Sequence, residues 1–118
     1  MRHLVLASMF ALASCSLAAA QDVGGSYTVE GTNINGTPYT GTAEITLLSE
    51  TTCAIEWTTG DTTSSGVCMR NGIAFSAAYV LGEALGLLIY EIVEDGSMEG
   101  IWTITGQDGT GTETLTPQ

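Results

Sequence analysis

From Gly25 onward the chain repeats one pattern: polar residues alternate with β-branched or aromatic ones, and a glycine-centred break follows. Asn35-Gly36, Asn71-Gly72, Asp95-Gly96 and Asp108-Gly109 are dipeptides that accept the positive φ of tight hairpins, and Gly60-Asp61 is a fifth break of this kind. Ser49-Glu50 and the stretch 81–86 are weaker breaks. Seven breaks at a spacing of about twelve residues predict eight strands, near 24–31, 38–48, 51–59, 62–70, 72–80, 86–94, 98–105 and 109–116. Hairpins joined in sequence make an all-β meander. For eight strands the simplest closed form is a small antiparallel up-and-down barrel, with a two-sheet β-sandwich as the alternative. The one helix candidate, 80–88, is interrupted by Gly82 and Gly86.

Parity assigns the faces, because alternate residues of a strand share a side. Tyr27 and Val29 share one, as do Tyr39, Ala43, Ile45 and Leu47, and then Cys53, Ile55 and Trp57. Ile73, Phe75, Ala77 and Tyr79 form the next set, followed by Leu88, Tyr90 and Ile92, then Met98, Trp102 and Ile104. The opposite faces of the first strands carry Thr, Ser and Glu. The aromatic face is therefore the expected interior. An eight-stranded barrel is about wide enough for side chains to fill it or to leave room for one small ligand. Tyr27, Trp57, Phe75, Tyr90 and Trp102 are the candidate interior ligand face.

Residues 1–20 read differently. Arg2 is a short positive segment, 4–13 is apolar apart from Ser8, and Ala18-Ala19-Ala20 is the small-residue pattern of a cleavage site. These features predict a secretory signal, with one β-barrel domain over 21–118. The apolar run is too short to span a bilayer, which takes about 20 residues. Leu12-Ala13-Ser14-Cys15 also resembles a lipobox, so lipidation at Cys15 is the alternative processing route. The expected location is periplasmic or extracellular, or lipid-anchored at the outer membrane in the second case.

Charge narrows the range of functions. The chain carries 13 acids against 2 Arg or Lys residues, a net charge of −11. Every acid lies beyond residue 20, where Arg70 is the sole cation and no His occurs. A nucleic-acid binder needs cations to displace phosphate counterions, and an anionic membrane surface would repel this chain. Neither nucleic acid nor membrane insertion is expected, and no cofactor or metal is. Histidine-dependent catalysis has no residue to use.

Cys53 and Cys68 each stand seven residues from the Gly60-Asp61 centre, directly opposite one another across that hairpin. Partners so placed lie about 5 Å apart at Cα, within disulfide range. Export favours the oxidised form. Closing a loop of about 16 residues stabilises a fold by about 3 kcal/mol.

Carboxylates are the abundant ionisable groups, and those at turns read as solvated. Glu113 stands apart, because it shares a face with Gly111 and Leu115, so that either it points inward or the terminal strand twists out at its glycines. A buried carboxylate needs a partner or a raised pKa, and Arg70 is the cationic candidate for a pair. On the outside, Leu87, Ile89 and Val93 of one strand, with Val80 and Ile101 of its neighbours, make a candidate interaction patch.

Gly25-x-Tyr27-x-Val29-x-Gly31-x-Asn33, Asn35-Gly36-x-x-Tyr39-x-Gly41, Trp57, Gly100-x-Trp102-Thr103 and Gly109-Thr110-Gly111-Thr112-Glu113-x-Leu115 together resemble a family of short secreted bacterial β-meander proteins. That family is often labelled fibronectin-binding. The resemblance implies the architecture, and no adhesive motif transfers residue by residue. Size, compartment and disulfide are also similar to periplasmic protease inhibitors built on an eight-stranded barrel. The leading expectation is an exported, non-enzymatic binding or envelope-associated module acting through a protein–protein surface, with a protein partner or a homodimer. The alternatives are a small apolar ligand held in the barrel interior and a protease-inhibitor-like barrel.

Overall fold

A computed structural model describes residues 22–118. The expected signal and Cys15 lie outside these residues. The eight strands are β1 (Gly25–Thr32), β2 (Pro38–Leu47), β3 (Thr52–Thr59), β4 (Thr62–Asn71), β5 (Ala74–Leu81), β6 (Ala84–Ile92), β7 (Met98–Ile104) and β8 (Gly111–Pro117). Each pairs antiparallel with the next, and β8 pairs with β1, so the sheet closes into a barrel and the sandwich alternative does not form. Closure leaves no unpaired strand edge.

Three of the turns have two central residues, Gly60-Asp61, Gly72-Ile73 and Gly82-Glu83. Each opens on a glycine with φ of 63°, followed by a residue of negative φ. Glycine at the first central position is the type II′ pattern, whose twist matches the flanking strands. This geometry corrects two expectations. The Asn71-Gly72 turn is centred one residue later, so Ile73 sits at the hairpin tip, 61% exposed, and not in the interior row. The break at 81–86 shrinks to two residues, and β6 begins at Ala84 instead of Gly86.

Val93 is a third correction. β6 ends at Ile92, and the Val93 N–H donates to the Ser97 carbonyl at 2.8 Å to start the turn into β7. Val93 is half-buried there and leaves the outer patch. Leu47 faces inward by register but lies at the barrel rim, 44% exposed, where no strand covers it.

The inward parity sets otherwise build the core: Tyr27, Val29, Ala43, Ile45, Ile55, Trp57, Phe75, Ala77, Tyr79, Leu88, Tyr90, Met98 and Leu115 are buried. Cys53 and Cys68 are register partners with Cα atoms 5.0 Å apart and form the disulfide. It lies toward the end of the barrel that carries the turns 48–51, 72–73 and 93–97. Val23 packs into the same end, where the Tyr27 hydroxyl donates to its carbonyl at 2.6 Å. The opposite end carries the turns 33–37, 60–61, 82–83 and 105–110.

Candidate functional site

Glu113 points into the barrel from β8, with glycines on both flanks. Its register partners are Gly31 on β1 and Gly100 on β7. With no side chain on either side, the glutamate can extend across the lumen to strands it does not pair with. There its carboxylate accepts three hydrogen bonds. Tyr39 Oη on β2 donates to Oε2 at 2.6 Å, and Trp57 Nε1 on β3 donates to Oε1 at 3.1 Å. Tyr90 Oη on β6 also donates to Oε1. The residue is 7% exposed. Among the described residues, every buried side-chain polar atom has a hydrogen-bond partner.

The walls above Glu113 are aromatic, and glycines make room for them. Gly31 pairs with Tyr39, Gly86 with Tyr79 and Gly111 with Trp102. A Cβ on these glycines would lie 2.6, 2.1 and 2.4 Å from the facing ring, so each ring occupies space that a side chain at the glycine would fill. Tyr39 meets Trp102 edge-on at 6.3 Å between centroids, and Trp57 meets Tyr79 at 5.1 Å. The Tyr79 hydroxyl donates to the Thr103 carbonyl, and Trp102 Nε1 to the Thr112 carbonyl. These bonds fix the rings, which enclose an opening of about 490 Å³ with Glu113 at its floor and Leu81, Leu88, Thr40 and Ser64 among its walls. Ligand pockets of barrels and clefts are commonly about 300–1,000 Å³.

Burial drives the electrostatics. Desolvation raises the Glu113 pKa, and the hydrogen bonds from Tyr39, Tyr90 and Trp57 oppose that rise because they favour the carboxylate. Burial and the nearby carboxylate push Tyr79 up to about 12 and raise Tyr39 and Tyr90 as well. The three phenols therefore stay protonated, and those of Tyr39 and Tyr90 keep donating to Glu113. Glu113 is the one ionisable acid or base lining the opening apart from Tyr39 and Tyr79.

The expected Arg70–Glu113 pair does not form. Arg70 lies at the disulfide end, where its Nε donates to the Gly72 carbonyl at 2.9 Å. It borders a depression of about 630 Å³ with Asp22, Glu50 and Cys53. Two hydroxyls and an indole do the work expected of a guanidinium.

The five residues of the expected ligand face separate by height in the barrel. Trp57 and Trp102 line the opening. Tyr90 lies beneath it on Glu113, backed by Phe75 stacked at 5.7 Å. Tyr27 belongs to the far end. Tyr39 and Tyr79 belong to the inward parity sets but not to the expected ligand face. The signal that marks them is a glycine at the cross-strand position of each ring.

Outside the barrel, Val80, Leu87, Ile89 and Ile101 are all exposed, at 42% or more, and Val67, Met69 and Leu85 extend the patch. Cross-strand register joins Val67, Ala78 and Leu87 in one row and Met69, Ser76, Ile89 and Ile101 in the next. The outer faces of β1–β3 carry Glu30, Glu44 and Glu56 among threonines.

No protein-family model and no curated protein matches the chain. Solved barrels do. A redesigned β-barrel superposes with a TM-score of 0.72 at 19% identity, covering 85% of this chain and 95% of its own. Another redesigned barrel, mFAP1 bound to DFHBI, gives 0.69 at 22%, covering 83% and 97%. A fatty acid transporter gives 0.54 at 18%, covering 82% and 96%. At these identities the likeness is one of fold.

Proposed function

We propose that the protein is an exported, non-catalytic carrier or sensor that binds one small organic ligand in the opening above Glu113. The observation that carries this reading is a buried carboxylate, held by three fixed donors, at the floor of an aromatic-walled cavity of about 490 Å³. A barrel interior needed only for stability would be filled with apolar side chains, because burying a carboxylate costs solvation. Fixed polar groups in an apolar recess are what orient a bound molecule. Barrels of this fold include proteins described with DFHBI bound and as a fatty acid transporter, which supports an interior site. The disulfide supports export.

Both tryptophans of the chain, Trp57 and Trp102, line the opening, so intrinsic fluorescence reports on it directly. Titrated one by one with 2-naphthylmethanol, 2-naphthylmethylamine and decanoate, the protein should give a saturable change at one ligand per chain with at least one of them. A signal unmoved by all three would argue against the cavity as a ligand site.

The outer face of β4–β7 favours a second reading, a contact with a second copy of the chain or with another protein. Leu85, Leu87, Ile89 and Ile101 lie there on strands whose outward acids, Glu91 and Glu99, stand at one end, with Glu83 in the turn at the other. For so acidic a chain, the uncharged middle of this face is where a second copy meets little like charge. Sedimentation should then show a dimer that Ile89→Asp dissociates. A wild-type monomer with no retained envelope protein would remove this reading.

A further inference from the structure

We infer that the ligand of this cavity is a cation, an organic amine or quaternary ammonium whose charged group sits between Glu113 and the surrounding rings. The inference rests on the cavity being a ligand site and names the chemistry that site selects.

Four observations converge on it. First, a carboxylate offers about four acceptor positions, and three are taken by Tyr39, Trp57 and Tyr90, which leaves acceptor capacity for a ligand donor. Second, all three protein partners are formally neutral. Arg70, the one Lys or Arg among the described residues, stands at the other end of the barrel beside Gly72. Ionised Glu113 thus carries a negative charge in a low-dielectric lumen with dipoles, and no cation, to balance it. Third, Tyr39, Trp57, Tyr79 and Trp102 present π-systems around the space next to that carboxylate. Aromatic faces attract cations, and rings of this kind are the usual enclosure for quaternary ammonium groups. Fourth, 13 acids against 2 cationic residues give the chain a field that concentrates cations around it.

The same observations disfavour an acid ligand. A fatty or aromatic carboxylate seated here would face Glu113 at close range, and two buried carboxylates cannot both ionise without cost. A neutral alcohol could occupy the cavity, but it would leave the Glu113 charge unbalanced.

An isosteric series separates these cases. 2-Naphthylmethylamine, 2-naphthylmethanol and 2-naphthoate share a ring system and differ in charge. Calorimetric titration of the wild-type protein at about pH 8 should rank the amine at least about tenfold tighter than the alcohol, with naphthoate the weakest. Lowering the pH should erase the amine's advantage as Glu113 takes up a proton. The groups facing Glu113, namely Tyr39 from β2, Tyr79 from β5 and Tyr90 from β6, stay protonated throughout, and Trp57 from β3 does not titrate. Glu113→Gln should bring the amine down to the level of the alcohol while the alcohol changes little. The wild-type series decides the question even if that variant folds poorly. Alcohol or naphthoate binding as tightly as the amine would overturn the cation assignment and leave the ligand site standing. No binding by any of the three would overturn both.

Discussion

The two ends of this barrel use the same strands for opposite purposes. At one end Val23, Tyr27, Met98, Leu115 and the Cys53–Cys68 disulfide pack to near-zero exposure. At the other, the interior rows continue as Tyr39, Trp57, Tyr79 and Trp102 over glycines, and the lumen stays open above Glu113. Side-chain volume accounts for the difference. Where both members of a cross-strand pair carry side chains, as at Cys53–Cys68 or Met98–Leu115, the lumen fills. Where a ring faces a glycine, as at Gly86–Tyr79, the ring lies against the wall and space remains. Stability is concentrated at the packed end, which frees the open end to hold a costly buried carboxylate.

Substitutions that fall on one end should leave the other unaffected. Met98→Ala, at a fully buried position of the packed end, should cost about 4 kcal/mol in chemical denaturation, within the range for large-to-small core changes. Its folded fraction should bind naphthylmethylamine as the wild type does. Replacing Cys53 and Cys68 together with serine should remove about 3 kcal/mol, again with affinity retained. An equal loss of affinity in either case would mean the two ends are one cooperative unit.

Gly86→Ala reverses the comparison. Its Cβ would meet the Tyr79 ring at 2.1 Å, so the ring must swing into the opening. The expected stability loss is smaller, about 1–3 kcal/mol, but affinity should fall about tenfold or more. Stability lost with unchanged affinity would place the ligand elsewhere.

Glu113 also predicts a pH effect, and its sign is fixed by its raised pKa. The unfolded chain releases this proton near 4.5, whereas the folded chain holds it to higher pH. Over that interval the native state binds more protons, so this group's contribution to stability falls as pH rises. A tenfold difference in proton affinity between the two states corresponds to about 1.4 kcal/mol. Denaturation of Glu113→Gln across the interval should therefore show the variant gaining on the wild type as pH increases. The opposite trend would mean that the three donors outweigh burial.

The fold was legible because its signals are local. Glycine breaks set the hairpins, parity set the faces, and symmetry about Gly60-Asp61 paired the cysteines. The misses came where two local signals competed. Asn71-Gly72 looks like an Asn-Gly turn, but the chain uses Gly72-Ile73, which turns Ile73 out to the tip. Parity puts Glu113 on the face of Leu115, but it decides neither whether the glycine-rich strand keeps that face inward nor which groups the carboxylate meets. Cation-seeking logic points to Arg70, whereas the partners Tyr39, Trp57 and Tyr90 come from strands that β8 does not pair with. Contacts across a lumen depend on barrel closure, and no short stretch of sequence encodes them. The outer patch was legible in part, since Val67, Met69 and Leu85 join it by a register visible only once the hairpins are fixed.

Ligand binding is assigned to the open end of the barrel. The two indole N–H groups test it most directly, because Trp57 Nε1 donates to Glu113 and Trp102 Nε1 to Thr112 at that end. In a ¹⁵N–¹H spectrum of the wild-type protein titrated with 2-naphthylmethylamine, both indole signals should shift and saturate together. The backbone amides of Val23 and Met98 at the packed end should stay in place. Indole signals that hold still while amides of Leu87 and Ile89 move would put the binding surface on the outside of the barrel and rule out the open end as the ligand site.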